Sequence, residues 1–446
     1  MVRSLKYDPP MNVCRFIHET TSESLPGEVL HQAGRCLLDI VGTAVAARRT
    51  ELSRIVHEFA VESFGGDGGI LWQDGREVSP PGAALANAAT VDALDIHDGH
   101  SLTKGHAGAA IIPAVFATLK CRSDVAVSGA ELLTSIAIGY EIALRAGIEL
   151  HATAADYHTS GAWNAVGCAA VAARRLKLSE AETRHALGIA EYHGPRSPMM
   201  RCIDHPTMLK DGSGWGAMCG VSAALLAQKG FTGGPAETVD FAAGKTNWSE
   251  LGVRWELLSI YFKPHAVCRW AQPAVEAALQ LKSQHAIEPA EITKIVVETF
   301  HEATRLAARA PATTEEAQYS LPFPVAAALC RGRVGPEELH GAALTDPAVL
   351  RLSKLIELRE SEAMSRAFPG RRLARVSICV ASGAVHQVDG AQPRWEADSP
   401  PSDDELLEKF RRLTSALPRE RQRCLEGSLL NCDGLPDANV IARALA

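Results

Sequence analysis

Ionisable side chains are most crowded between residues 92 and 106. The run contains three histidines, three aspartates and one lysine, namely His97, His100, His106, Asp92, Asp95, Asp98 and Lys104. An exposed loop is the ordinary explanation of any one of these charges, but solvation alone does not explain three imidazoles in 15 residues. Because imidazole titrates near neutral pH, the run is typical of proton transfer or ligand binding. The apolar run 108–119 that follows predicts a helix whose free N–H groups suit a carboxylate or phosphate.

A metal centre is the alternative for the same run. Carboxylates and imidazoles are common metal ligands, and Asp95, His97, Asp98 and His100 would supply four of them. Their spacing matches no standard zinc motif, and the sequence contains no HExxH. We therefore predict no metal and keep a metallohydrolase as a less favoured alternative.

Three further cationic or imidazole side chains stand ahead of runs rich in alanine and glycine. These are His158, Lys210 and Lys263. Each alone is more typical of the protein surface, but several helix N-termini that converge on one pocket would form a site for a polyanion. Arg145 lies at the end of the helical run GYEIALRAG. The simpler interpretation of this residue is that its positive charge interacts with the dipole at the helix C-terminus.

The composition restricts the class of protein. The chain has 446 residues, and 45 Lys and Arg against 52 Asp and Glu leave a net charge of −7. This balance argues against binding to nucleic acid or to an anionic membrane surface, since both favour excess positive charge. The length exceeds what one hydrophobic core usually supports, so we expect two domains. The sequence contains no apolar stretch long enough for a membrane helix, and we predict no membrane span.

Cysteine usage and the missing motifs bear on location and cofactors. The first residues lack the apolar segment of a secretory signal, and the 11 cysteines include no CxxC pair. Oxidising compartments favour paired cysteines, so the pattern predicts a cytoplasmic protein. The sequence has no GxGxxG after a strand, no GxxxxGKS/T and no GxSxG, which predicts neither a nucleotide or flavin cofactor nor a serine nucleophile.

Helical periodicity dominates from about residue 20 to residue 270. Ser179, followed three residues later by Glu182, has the spacing of a capping box and predicts a helix start. Gly212, Gly216 and Gly220 recur every four residues, so they share one helix face. This face would carry no side chains there, and another helix or a ligand could approach its backbone closely.

The pattern changes after about residue 270. ITKIVVETFHEA alternates like a strand, and RVSICVASGAVHQVDG predicts a hairpin that turns near residues 382–383. Between them AQYSLPFPVAAALC and GPEELHGAAL predict helices. We therefore predict a mainly α protein with an α+β lid. A large all-helical domain comprises residues 1–268 and 398–446, and a smaller α/β domain of residues 269–397 is inserted into it.

Six segments resemble the MmgE/PrpD family and follow the family's own order along nearly the whole chain. They are ANAATVDALDIHD, GYEIALRAG, YHTSGAWNAVGCAAVAARRLKL, LKDGSGWGAMCGVSAALLAQKGFTGG, YFKPHAVCRW and AQYSLPFPVAAAL. Each segment alone is a weak signal, whereas six collinear segments identify the family.

The resemblance implies a helical domain with a smaller lid, commonly as a homodimer, and a site in the cleft between them. It implies no metal or organic cofactor. By motif position Asp95, His106, His158, Lys210 and Lys263 match the family's active-site residues. The family's common step removes a proton from a carbon next to a carboxylate, so we predict a small di- or polycarboxylate substrate.

Departures from the family pattern bear on the reaction. Residues 97–100 read His-Asp-Gly-His where the dehydratase and decarboxylase members usually have Asp-Asp-Thr. Ser213 stands where the decarboxylase has a histidine, and Phe323 replaces its lid tyrosine. These departures favour an isomerase that epimerises iminodisuccinate. Dehydration of 2-methylcitrate and decarboxylation of cis-aconitate are the alternatives within the family.

Each residue type suits one part of such a reaction. His106 and His158 are the predicted bases, and Asp95 would orient an imidazole. Lys210 and Lys263 would neutralise carboxylates and stabilise the developing enediolate. The predicted substrate-binding residues are His97, His100, Arg145 and Ser213. A non-catalytic protein that binds polycarboxylates is the remaining alternative outside the enzymes.

Overall fold

The computed structural model describes residues 12–121, 126–241 and 246–446. Helices form most of the first 259 residues: α1 (Val13–Glu19), α2 (Gly27–Ala47), α3 (Glu51–Ser63), α4 (Pro80–Asp92), α5 (Gly108–Ala117), α6 (Gly129–Thr153), α7 (Gly161–Leu176), α8 (Glu180–His193), α9 (Met199–Asp204), α10 (Ser213–Gln228), α11 (Glu237–Asp240) and α12 (Thr246–Ser249). Short antiparallel pairs join β1 (Gly69–Ile70) to β2 (Glu77–Val78) and β3 (Gly99–His100) to β4 (Ile260–Tyr261). The predicted capping box is confirmed, because the Ser179 hydroxyl accepts the Glu182 N–H at 3.3 Å.

Helix α10 packs closely on α7 through the predicted glycine ridge. A Cβ atom at Gly216 would lie 2.5 Å from the carbonyl oxygen of Gly161, and one at Gly220 would lie 2.4 Å from that of Ala165. No side chain fits there, so these two glycines let the helix backbones touch. Gly212 has a different role, because its φ of 68° is left-handed and it turns the chain into α10.

The second part of the fold is a mixed sheet with helices. Its elements are α13 (Gln272–His285), β5 (Ile292–Thr299), α14 (His301–Thr304), α15 (Thr314–Gln318), α16 (Pro322–Arg331), α17 (Pro347–Lys354), β6 (Ile356–Glu360), α18 (Glu362–Ala367), β7 (Ala374–Val380) and β8 (Val385–Ala391). The strand order is β6-β5-β7-β8, with β5 and β6 parallel and the other neighbours antiparallel. The predicted strand and hairpin are confirmed. The segment GPEELHGAAL instead forms two short 3₁₀ helices, and left-handed Gly341 lies at the start of the second.

The chain then returns to helix as α19 (Asp403–Leu413), α20 (Arg419–Leu430) and α21 (Asn439–Leu445). Leu406 and Phe410 of α19 are buried in the core of the N-terminal helices, where the Phe410 ring packs over Gly42 of α2. This packing supports placing the C-terminal tail with the helical domain. The predicted boundaries at residues 268 and 398 remain a prediction. Across the described ranges, no helix is both long and apolar enough to cross a bilayer.

The glycine ridge can be tested with one added methyl group. Gly220→Ala places a Cβ against the α7 backbone, so we expect a loss of about 1–3 kcal/mol in the free energy of unfolding from overpacking. Gly427→Ala is the matched control, because α20 leaves open space at that position and alanine favours helix by up to ~1 kcal/mol. Urea denaturation measures both. Equal stability of the two variants would contradict the close approach of α7 and α10.

Candidate active site

The loop that follows α4, residues 93–98, holds the central carboxylate. Asp95 has a left-handed φ of 48°, a conformation that few residues besides Gly, Asn and Asp adopt readily. Its Oδ1 atom accepts a hydrogen bond from Nζ of Lys263, and both side chains are buried. The pairing of β3 with β4 places the segment before Lys263 next to the segment after this loop. Residues separated by 168 positions therefore form one ion pair.

Side chains from distant elements fix the backbone of this loop. Its carbonyl oxygens accept hydrogen bonds at Ala93 from Gln318 Nε2 (3.0 Å), at Ile96 from Lys409 Nζ (2.6 Å) and at Asp98 from His106 Nδ1 (2.5 Å). Each bond satisfies a buried carbonyl that would otherwise cost free energy. Three of the six carbonyl oxygens of the loop are thus bound by side chains from outside it.

His106 is the candidate base. A carbonyl oxygen only accepts hydrogen bonds, so the contact with Asp98 places a proton on Nδ1 of His106 and leaves Nε2 as the acceptor nitrogen. Nε2 lies 3.7 Å from Oδ1 of Asp95. Burial, and then the positive charge of Lys263, hold the pKa of His106 well below its ordinary value. The ring is therefore neutral near pH 7 and has a free lone pair.

Aromatic and imidazole rings enclose His106 on two sides. The His97 ring stands edge-on to it at 4.5 Å between centroids, and the Tyr261 ring does so at 6.5 Å. The Arg269 guanidinium lies 4.1 Å from the Tyr261 ring centroid and is itself buried. These contacts exclude water around the base, which strengthens electrostatic interactions with a bound substrate.

Lys210 approaches the same cluster from the start of α10. Its Nζ atom donates to Oε1 of Gln318 at 2.6 Å and lies 4.6 Å from the centroid of the Tyr319 ring. The residue is left-handed, with φ of 48°, and 3% exposed. Because Gln318 also binds the carbonyl of Ala93, this one lid side chain connects Lys210 to the Asp95 loop.

Two buried carboxylates frame the cluster. Oδ2 of Asp92 accepts the backbone N–H groups of Asp211 and Ser213 at 3.2 and 3.3 Å, and its Oδ1 lies 3.4 Å from Nε2 of His97. Burial and then the negative charge of Asp92 raise the pKa of Asp211 to about 7. Ser160 donates to Asp211 and accepts the N–H of His106 at 2.9 Å. The frame therefore ties α4, α7 and α10 to the base.

The structure thus brings together Asp95, His97, His106, Lys210, Ser213 and Lys263 of the predicted residues, all of them buried. The hydroxyl of Ser213 has no hydrogen-bond partner among the described residues. The predicted role of Asp95 in orienting an imidazole stays a prediction: Asp95 is bound to Lys263 and lies 3.7 Å from Nε2 of His106, while the carbonyl of Asp98 binds Nδ1 of that ring.

The other three predicted residues have different surroundings. Nε2 of His100 lies 3.4 Å from Oε2 of Glu256, and the fully buried Arg145 binds Glu141 and two backbone carbonyls. Both side chains are bound to partners within the helical domain, and the site we propose does not use them. His158 is half-buried and stands two residues before Ser160, and its backbone N–H donates to Nε2 of His151 at 3.0 Å. Its Nδ1 atom has no hydrogen-bond partner in the described chain, so its role as a base stays a prediction.

Comparison with known proteins identifies the family of this chain. The family model of the MmgE/PrpD N-terminal domain matches residues 11–257, and the model of the C-terminal domain matches residues 265–431. The chain belongs to the MmgE/PrpD family. Both matches together span most of the sequence, and the predicted family is confirmed.

Curated relatives of this MmgE/PrpD protein carry the names of decarboxylases. The cis-aconitate decarboxylase-like protein oryM of Aspergillus oryzae is 23% identical over 481 residues, which cover 96% of this chain and 95% of that protein. The cis-aconitate decarboxylase of Aspergillus terreus is 24% identical over 304 residues, covering 61% of this chain and 60% of that enzyme.

The described side chains do not have the geometry that the alternative metal centre would need. Among the described residues, no group of three His, Cys, Asp or Glu side chains is placed to hold a metal ion. His97 faces Asp92 and His100 faces Glu256, while Asp98 accepts a hydrogen bond from the Tyr140 hydroxyl at 2.5 Å. The ligands proposed for a metal are therefore directed to different partners.

Sequence reasoning assigned no role to several residues of this MmgE/PrpD site. Asp92 and Tyr261 stand three and two residues before the predicted Asp95 and Lys263, and their position in the same segments is a usable signal. Gln318 lies in the segment AQYSLPFPVAAAL but carries no charge, so only the fold shows that it joins the lid to Lys210. Lys409 lies in a surface-like helix of charged residues, and nothing in its neighbours indicates that it is buried.

Asp98 gives a prediction for the pH dependence of stability. Burial and then the charge of Asp39 raise the pKa of Asp98 to about 6, above its ordinary value. The contribution of Asp98 to the free energy of unfolding therefore falls as the pH rises from about 4 to 6, by roughly 3 kcal/mol. Asp98→Asn keeps an acceptor for Tyr140 but cannot ionise, so it should gain stability relative to wild type over that range.

Urea denaturation at several pH values measures this difference. Asp404→Asn, at an exposed carboxylate, controls for the general loss of one negative charge. A stability difference between Asp98→Asn and wild type that stays constant from pH 4 to 7 would contradict the raised pKa.

Proposed function

We propose that this protein is a lyase that acts on a small di- or tricarboxylate, with His106 transferring a proton at a carbon next to a carboxylate. The observation that carries the proposal is the geometry of His106: its Nδ1 atom is bound to the carbonyl of Asp98, and its Nε2 atom lies 3.7 Å from Oδ1 of Asp95 in the buried Lys263–Asp95 pair. Membership of the MmgE/PrpD family and the names of the curated relatives support the lyase class.

The chemistry follows from these groups. A C–H bond next to a carboxylate is a very weak acid, because its carbanion forms an enediolate with an additional negative charge. The Lys210 and Lys263 ammonium groups would bind the carboxylate oxygens on which that charge develops. Nε2 of His106 takes the proton, while its Nδ1–H remains bound to Asp98 and stabilises the imidazolium that forms.

The two lyase reactions then differ in what leaves. In a dehydration the electron pair of the broken C–H bond forms a C=C bond, and the hydroxyl on the neighbouring carbon leaves as water after protonation. In a decarboxylation the pair of the broken C–C bond stays on the substrate, carbon dioxide leaves, and a protonated His106 delivers a proton to carbon. The neutral resting state of His106 favours the reaction that begins with proton removal.

Epimerisation of iminodisuccinate is the second candidate. The departures at residues 97–100, Ser213 and Phe323 favour it, because they remove groups typical of the dehydratase and decarboxylase members. An epimerase returns a proton to the opposite face of the same carbon and releases nothing. It therefore needs a second acid beside His106, and we propose Lys210 for this role.

One NMR experiment separates these reactions. The protein is incubated in D2O with cis-aconitate, 2-methylcitrate, citrate or iminodisuccinate. A lyase gives a new product with loss of carbon dioxide or water, whereas an epimerase gives only deuterium at the α-carbon and a change of configuration. Binding without exchange or product, for all four compounds, would contradict the proposal and favour a non-catalytic polycarboxylate-binding protein.

Two substitutions test the roles of the central residues. His106→Gln removes the base and Lys263→Met removes a buried cation, and each should lower kcat by about 10²–10⁴. His301→Gln, at an exposed histidine of the lid, is the matched control and should leave kcat unchanged. Rates of His106→Gln and Lys263→Met within a factor of three of wild type would remove both residues from the mechanism.

We also propose that the protein is a homodimer. Several large apolar side chains on or beside the packed helices α8 and α10 are exposed to solvent, namely Tyr192, Leu209, Trp215, Leu226 and Phe231. Exposed apolar surface of this kind is typical of protein interfaces. Light scattering should give twice the chain mass of 47.6 kDa, and a mass of 47.6 kDa would contradict the dimer.

A further inference from the structure

A second buried ion pair lies behind the candidate site. Nζ of Lys409 in α19 donates to Oδ1 of Asp39 in α2 at 2.5 Å, and the two side chains are 1% and 0% exposed. The same ammonium group donates to the carbonyl oxygen of Ile96 at 2.6 Å. One cation from the C-terminal tail therefore connects a core helix to the Asp95 loop.

This arrangement is a costly way to stabilise a fold. Removing two charges from water usually costs as much as their attraction returns, and apolar replacements are often as stable. Burial lowers the pKa of Lys409, and Asp39 counteracts this effect. The second oxygen of Asp39 has no hydrogen-bond partner among the described residues, so the pair is not even fully satisfied. Stability alone does not account for it.

Lys409 binds the loop at a residue that lies between two residues of the candidate site. Ile96 lies between Asp95, which binds Lys263, and His97, whose ring contacts His106. Asp95 is the left-handed residue of this loop, a conformation that Asp tolerates and that the hydrogen bonds to the loop carbonyls hold in place. Lys409 binds the carbonyl oxygen of Ile96, which directly follows Asp95.

We propose that Lys409 is a positioning residue, which fixes the Ile96 carbonyl and thereby keeps Asp95 directed at Lys263 and His106. Lys409 itself would not touch substrate. Asp39 holds the ammonium group of Lys409 in place. The role of Lys409 in turnover rests on the proposed function, whereas the effect of Lys409 on the Asp95 loop does not.

Hydrogen–deuterium exchange followed by mass spectrometry tests the loop directly. The double variant Asp39→Asn/Lys409→Met removes both charges together, so that no unpaired ion is left in the core. We expect amides of residues 93–99 to exchange at least tenfold faster, with the rest of the helical core unchanged. If this variant does not fold, Asp39→Leu/Lys409→Met provides a fully apolar replacement.

Two control variants lie on the same helix. Leu406→Ala removes a buried contact of α19 with the helical core, and it should lower stability without selectively releasing residues 93–99. Arg411→Gln breaks an exposed ion pair with Glu426 and should change neither property. Unchanged exchange at residues 93–99 in the folded double variant would overturn the proposal, whatever the substrate is.

Kinetics provide the second measurement. With the substrate found in the NMR experiment, the double variant should lose tenfold or more in kcat with KM changed less than threefold, since the loop orients the reacting groups. The folded fraction of Leu406→Ala should have the kcat of wild type. Equal losses of kcat in both variants would show a merely structural role. If wild type turns over no compound, the proposed function fails, and the exchange result still decides the role of Lys409.

Discussion

Burial of an imidazole, with a buried ammonium group beside it, favours the uncharged ring, and the site is arranged around this constraint. Lys263 cannot be buried alone, so it is paired with Asp95. Burial, and then the positive charge of Lys263, disfavour a positive charge on His106. The outcome is a neutral base next to a cation, which is the combination that proton removal from a carboxylic acid substrate needs.

The fold meets this constraint with contacts between residues that are far apart in sequence. The β3–β4 pair brings Lys263 to the loop, and the glycine-lined contact of α7 and α10 brings Lys210 close from another direction. Gln318 then joins the lid to both parts. The two domains are therefore connected at the candidate site itself, where a single amide side chain binds a helical-domain lysine and the Asp95 loop.

The sequence predicts the overall architecture well, because helical periodicity, strand alternation and glycine spacing are local signals. It also identifies residues with unusual chemistry, such as His106 and Lys263, from their type and neighbours. It does not show which partner each group meets. His100 and Arg145 have the right chemistry but bind Glu256 and Glu141, and the sequence has no local signal for such pairing. Backbone carbonyls, such as that of Asp98, are also invisible to motif analysis although they determine the tautomer of the base.

The central claim is the protonation state of His106, and nitrogen NMR of histidine-labelled protein measures it most directly. The His106 signals are assigned by comparison with His106→Gln. The account predicts, from pH 6.5 to 8, a protonated Nδ1 and an unprotonated Nε2. A ring protonated on both nitrogens, or on Nε2 alone, would contradict the account, because no lone pair would then face the Lys263–Asp95 pair.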